Sequence, residues 1–135
     1  MKYALDTNVV FRYLKNESNT VQNVDRALAE NHEICIPQIV NYEVMRGFKL
    51  MHKPSHRKEM VYELLTERCP MVEIETSIWE QAEDVYKELY RKGFTVGELD
   101  ILIATFCLYH DLALVTNNTK DFKNISRLSI VDWTH

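Results

Sequence analysis

Apolar residues recur along this chain in two rhythms, and the switches between them predict its elements. Residues 2–6, 33–36, 71–75, 112–116 and 129–131 are short runs of strand character. In the third of these, Val72 and Ile74 alternate with acids. Longer stretches of helical spacing lie between them, over 8–15, 21–31, 38–51, 54–67, from Thr76 or Ser77 to Lys92, and over 97–110. In 38–51 the apolar positions Val40, Val44, Phe48 and Met51 share one face. Pro37 ends the second strand and Pro54 separates two helices. Thr76 or Ser77 is placed to cap the fifth helix and Gly93 to stop it. Phe48, Met51, Leu64, Trp79, Val85 and Phe106 sit at helical spacing and are expected in the core or in contacts between copies of the chain. His110 is expected at a helix C-terminus, where a cation is favoured.

Strands separated by helices predict an α/β fold, with a central parallel sheet of four to five strands covered on both faces in three α/β/α layers. A length of 135 residues predicts one domain spanning 1–135. In sheets of this kind, sites form beyond the carboxyl ends of the strands. That directs attention to the positions just after Asp6, Ile36, Glu75 and Thr116.

Composition narrows the choice. Hydrophobic residues make up 46% of the chain, enough for a core, and only 3 Gly and 3 Pro argue against a turn-rich all-β fold and against disorder. Cys35, Cys69 and Cys107 are widely spaced without a CxxC, which excludes a Cys-ligated zinc site and fits a reducing cytosol. Asp6 interrupts the first apolar run too early for a secretory h-region, and no run approaches the roughly 18 apolar residues of a membrane span. A cytoplasmic protein without a membrane partner is therefore expected. Net charge is −4, but it is unevenly spread. From Met45 to Lys58 there is no acid, while Arg46, Lys49, Lys53, Arg57 and Lys58 all fall there, with His52 and His56. Such a run suits a solvated face or a nucleic-acid backbone. Its position beside Glu43 favours the second.

Four places carry candidate chemistry. Asp6 stands at a strand end, where it also suits a helix cap. Glu43 lies early in a helix that follows a strand, a position that is solvated in most helices. Asp100 opens GELDILIATF, a helix apolar nearly all round, so its carboxylate needs a partner or an ion unless it serves the helix dipole alone. Glu98 adds an acid at the same helix start. TNNTKDF follows the strand ALVT and offers Asn117, Asn118 and Asp121, in a turn that also suits a short capped helix. One fold can bring these acids to one pocket. Two unit charges about 4 Å apart repel by roughly 4 kcal/mol at an effective dielectric of 20. A hard divalent cation removes that penalty, and with no His-rich or Cys-rich alternative Mg²⁺ or Mn²⁺ is the cation expected. Such a centre suits phosphodiester hydrolysis. There is no GxxxxGK[ST] and no GxSxG, so nucleotide-cradling and acyl-transfer templates are absent. A phosphotransferase with a nucleophilic strand-end Asp would want a second Asp where Asn8 stands.

YALDTNVVFRYL, IVNYEVMRG, GELDILIATFCLYHDLALVTNNTKDF and Trp133, in that order along essentially the whole chain, resemble a VapC-type PIN domain. The resemblance implies a Mg²⁺-dependent endoribonuclease, the toxin of a toxin–antitoxin pair, dimeric and silenced by a cognate antitoxin. It maps the family's metal-site acids onto Asp6, Glu43 and Asp100. The fourth position falls on Asn118 rather than an Asp, which leaves open whether Asn118 or Asp121 completes the site. Thr7 and Thr116 become hydroxyls that orient ligands or water. The expected roles are then Asp6 and Asp100 as direct metal ligands and Glu43 as holder of a metal-bound water and general base. Arg46, at i+3 from Glu43, pairs with substrate phosphate or with Glu43 itself, and Lys49, Lys53 and Arg57 guide the RNA backbone. TNNTKDFKNISRLSIVDW also resembles the subgroup that cleaves initiator tRNA in its anticodon loop. A PIN module that only binds, or one that matures RNA, has the same outline.

Overall fold

The structure is a computed structural model and describes residues 2–135. The elements follow in the order β1 (Lys2–Leu5), α1 (Thr7–Leu14), α2 (Ser18–Ala29), β2 (Glu33–Pro37), α3 (Gln38–Leu50), α4 (His56–Arg68), β3 (Met71–Val72), α5 (Thr76–Arg91), α6 (Glu98–His110), β4 (Ala113–Val115), α7 (Thr119–Phe122) and β5 (Ile130–Val131). The strands form one sheet, ordered β3-β2-β1-β4-β5 and parallel throughout, flanked by helices as expected. The chain runs outward from β1 through β2 to β3, then returns to the other side of β1 for β4 and β5. The crevice between β1 and β4 is thus the point where strand order reverses, the place where open α/β sheets bind ligands.

β1 lies at the centre, with Ala4 and Leu5 fully buried, and all of β4 is buried beside it. Val9, Val10 and Leu14 of α1, Val40 and Val44 of α3, Ile78 of α5 and Ile103 and Phe106 of α6 pack onto this pair of strands and the neighbouring β2 as one apolar cluster. α6 buries Ile101, Ile103, Ala104, Thr105, Phe106 and Cys107, which is the nearly all-round burial its composition predicts. Gly93 stops α5 through a left-handed turn at φ +78, with Gly93 N–H on Tyr90 O and Phe94 N–H on Leu89 O. Asp111 performs the same turn after α6 at φ 56.

Several boundaries differ from the sequence expectation. β3 is two residues long rather than five, because its partner β2 ends at Pro37 and turns directly into α3. Beyond Val72 the ladder is replaced by a side chain, with Ile74 N–H donating to Gln38 Oε1 at 2.9 Å. Neither Thr76 nor Ser77 caps α5; the cap position is Glu75, whose carboxylate instead accepts from the Tyr109 hydroxyl at 2.8 Å. α4 starts at His56, two residues after Pro54, with Ser55 Oγ accepting from Lys58 N–H. Phe48, Val85 and Phe106 are core residues, whereas Leu64 is 54% and Trp79 50% exposed. α4 turns Tyr62 and Leu65 inward, and α5 turns Ile78, Ala82, Val85 and Leu89 inward. Leu64 and Trp79 each lie about 100° away from an inward neighbour. Among the described residues, no helix is long and apolar enough to cross a membrane.

α1 and α3 cross closely at Gly47. A Cβ there would stand 2.8 Å from Phe11 Cζ, so the ring occupies the space a side chain would need. Alanine in place of a mid-helix glycine ordinarily stabilises by about 1 kcal/mol. Gly47→Ala is expected to lose that gain in the native background and recover it in a Phe11→Ala background, giving a coupling of about 0.5–1.5 kcal/mol in a urea-denaturation double-mutant cycle.

Candidate functional site

The site is built on the parallel register of β1 and β4. Leu5 pairs with Val115, and Asp6 N–H donates to Val115 O at 2.9 Å, so the next residues on each strand, Asp6 and Thr116, stand side by side across a separation of 110 positions in the chain. Both are buried. Thr116 Oγ1 donates to Asp6 Oδ2 at 2.7 Å, Asn8 Nδ2 donates to the same oxygen at 3.0 Å, and Thr7 N–H donates to Oδ1 at 2.8 Å. Asp6 is therefore the N-cap of α1 and at the same time the centre of a tertiary network.

Glu43 comes in from α3. Its Oε1 accepts from Thr7 Oγ1 at 2.7 Å, and Arg46 Nη2 lies 3.7 Å from Oε2. Asp100 comes from the first turn of α6, half-buried, with no hydrogen bond or ion pair among the described residues. On the turn after β4, Asn118 N–H donates to Thr116 Oγ1 at 2.9 Å and Asn118 Nδ2 to Asp121 Oδ2 at 3.0 Å.

The electrostatics show which acids share a field. Burial first, and then the charges of Asp6, Glu43 and Asp121, together push the Asp100 carboxyl up to about 6. Burial also raises Asp6, partly offset by the donors Thr116, Thr7 and Asn8, with Glu43 adding repulsion. These four carboxylates thus converge, although they belong to β1–α1, α3, α6 and α7. Of the two candidates after β4, Asp121 supplies the charge felt by Asp100, and Asn118 orients Asp121. Glu98 is exposed on the first turn of α6 and makes no hydrogen bond to the others. Among the described residues, no three His, Cys, Asp or Glu side chains lie close enough together to enclose an ion. The side chains of these acids offer only oxygens, which suits a hard divalent cation that keeps part of its water shell. Mutual repulsion and the partnerless Asp100 are what such a cation would relieve.

The basic residues differ in what they touch. Arg46 is paired with Glu43 and lies over the Tyr42 ring. Lys49 and Lys53 are exposed. Arg57, also exposed, donates through Nη1 to Leu14 O at 3.0 Å and so pins α4 to the end of α1.

Sequence reasoning assigned no site role to Asn8 or Arg12, and offered Asn117 only as a polar group of the turn after β4. Asn8 Oδ1 accepts from Asn117 N–H at 3.0 Å, Arg12 Nη2 donates to Asn117 Oδ1 at 3.4 Å, and Asn117 Nδ2 donates to Thr134 Oγ1 at 3.1 Å. These bonds clamp the turn after β4 between α1 and the C-terminal segment. The signal for Asn8 was present in LDTN, where it stands at the position a second Asp would take. For the bond between Arg12 and Asn117 there was none, since it joins residues 105 positions apart in the chain.

With fold and site in view, the comparisons with known proteins are consistent. Residues 3–128 match the PIN domain, and the chain belongs to that family. Among curated proteins it is similar to Ribonuclease VapC2 of Rickettsia felis, 29% identical over 133 residues with 98% of each chain covered. It is also similar to the tRNA(fMet)-specific endonuclease VapC of Shigella flexneri, 28% identical over 134 residues with 99% of each covered. Among solved structures, a chain of Rickettsia felis VapBC2 bound to a promoter DNA fragment superposes with a TM-score of 0.90 at 28% identity, covering 98% of this chain and 99% of that one. A chain of DNA-bound VapBC from Salmonella typhimurium gives 0.87 at 28%, covering 98% of each.

The Asp100 carboxyl is held at about 6 in the fold against an ordinary 3.8. Between those values the folded state keeps a proton that the unfolded chain has released, so this group's stabilising contribution is present at low pH and lost as pH rises through about 6. In buffer free of divalent ions near pH 7.5, Asp100→Asn is expected to melt roughly 2–6 °C above the native protein, the shift that about 1 kcal/mol produces in a domain of this size. The gap should close near pH 4, where both side chains are neutral in the fold. Scanning calorimetry across that range checks it, and a variant that melts lower throughout would show that Asp100 carries no uncompensated charge.

Proposed function

We propose that this chain is a Mg²⁺- or Mn²⁺-dependent endoribonuclease, the toxin member of a VapBC-type pair, acting in the cytoplasm and held in check by a cognate antitoxin. The observation that carries the reading is the convergence of Asp6, Glu43, Asp100 and Asp121, with Asp100 raised to about 6 by burial and by the other three. An acidic cluster at the switch point of a parallel sheet, beside a cationic helix, is what phosphodiester hydrolysis needs and what a purely structural site would avoid. The full-length likeness to proteins named as VapC ribonucleases supports RNA as substrate, and the VapBC assemblies among the solved structures support an antitoxin partner. The likeness to tRNA(fMet)-specific endonucleases supports a tRNA anticodon loop as target, and a homodimer is the assembly the family resemblance implies.

In this reading Asp6 and Asp100 would hold the cation, with Glu43 beside them as the acceptor of a proton from the attacking water. The ion, when bound, supplies an activated water and neutralises charge at the scissile phosphate. The chain's own residues do the rest. Thr116, Asn8 and the Thr7 N–H fix the Asp6 carboxylate, leaving it no rotational freedom. Thr7 Oγ1 orients Glu43 so that its second oxygen faces Arg46, and Glu43 takes the proton released when water attacks. Asn118 orients Asp121 as the fourth acid. Arg46, Lys49, Lys53 and Arg57 meet RNA phosphates.

Inducible expression with sequencing of new RNA 5′ ends tests toxicity and target together. New ends are expected on RNA loops with the native protein and none with Asp6→Asn or Asp100→Asn. In vitro, EDTA should abolish cleavage and Mg²⁺ restore it; metal-independent cleavage, or full activity in Asp100→Asn, would overturn the assignment. Lys49→Ala and Lys53→Ala should each lower the slope of log affinity against log salt by about 1, uniformly across RNA sequences, as binding titrations would show.

A further inference from the structure

Tyr42 precedes Glu43 on α3, and the structure gives it no packing duty. Its ring is 54% exposed and its hydroxyl has no partner among the described residues, unlike Tyr62, which is buried and donates to Asn41 Oδ1 at 2.7 Å. The Arg46 guanidinium lies over one face of the Tyr42 ring, 5.1 Å from its centroid, while the same arginine stands 3.7 Å from Glu43 Oε2. Ring, cation and carboxylate therefore form one cluster that joins Tyr42 to the acid Glu43. With Arg46 over the ring, Tyr42 is still 54% exposed. At 100° per residue, Tyr42, Arg46 and Lys49 fall on a single exposed stripe of α3. The stripe leads into the acid-free stretch that ends at Lys58.

An exposed aromatic face beside cations, next to acids suited to a divalent ion, matches an unpaired nucleotide: a flat base, and phosphates on either side of it. A base inside a duplex has both faces covered, so only an unpaired one can take such a surface. We propose that Tyr42 is the platform on which the base next to the scissile phosphate stacks, with Arg46 bracing the ring from behind and Lys49 meeting an adjoining phosphate. This rests on the nuclease reading and adds to it the residue that selects single-stranded or looped RNA.

The test uses an RNA whose cut position has been mapped with the native protein, and a copy with an abasic nucleotide beside the cut. Tyr42→Leu is expected to raise KM about 10- to 100-fold, the range that loss of one base–aromatic stack gives, with kcat within about threefold. Tyr42→Phe should keep the native KM. The abasic copy should raise KM for the native protein and not further for Tyr42→Leu. An unchanged KM in Tyr42→Leu, or an equal abasic penalty in both proteins, overturns the inference and leaves the nuclease reading intact. So does a change in oligomeric state by light scattering without a change in KM, which would make the ring a contact between copies. Failure of the native protein to cut any RNA overturns both.

Discussion

Everything near the functional end of this sheet depends on one buried anion. Asp6 is 3% exposed at the tip of the central strand, where an unpartnered carboxylate costs several kcal/mol. Three donors meet it, two from its own neighbours in sequence and one from Thr116 on the adjacent strand. The parallel register of β1 and β4 makes the third donor possible, because a strand slipped by one residue would turn Thr116 to the other face of the sheet. Sheet geometry and site chemistry are thus a single constraint.

From that anion the network spreads outward in two directions. Through Thr7 it reaches Glu43 on α3, and through Asn8 it reaches Asn117, Arg12 and the C-terminal segment. Asp132 accepts from both the N–H and the hydroxyl of Thr134, and Asn23 of α2 donates to Trp133 O. The turn after β4 is therefore held from below by α1 and from the side by the end of the chain. This scaffolding is applied to groups that repel one another: Glu43 raises Asp6, and Asp6, Glu43 and Asp121 all raise Asp100. A cluster of this kind lowers stability and persists where it serves a function, with the surrounding core holding it in place.

The charge of the molecule makes sense at the same scale. A net charge of −4 would ordinarily disfavour RNA, yet the acid-free run from Met45 to Lys58 follows directly on Glu43 in the chain. Arg46 is where the two fields meet, touching Glu43 on one side and Tyr42 on the other.

Periodicity, proline and glycine positions and the strand-end location of Asp6 were all readable from the chain, because each is a property of a few consecutive residues. So were the parallel sheet and the edge on which to look for chemistry. Whether Leu64 and Trp79 belong to the core or to the surface was not, since which side of an amphipathic helix meets the core depends on the neighbour it packs against. The short β3 was not, because its length is set by where β2 turns into α3. The bond that ties Asn118 to Asp121, the clamp made by Asn8 and Asn117, and the sharing of one field by four acids were decided by tertiary structure alone. The last two need residues up to 110 positions apart to be brought within hydrogen-bonding or Coulombic range, and only the register of neighbouring strands sets that distance.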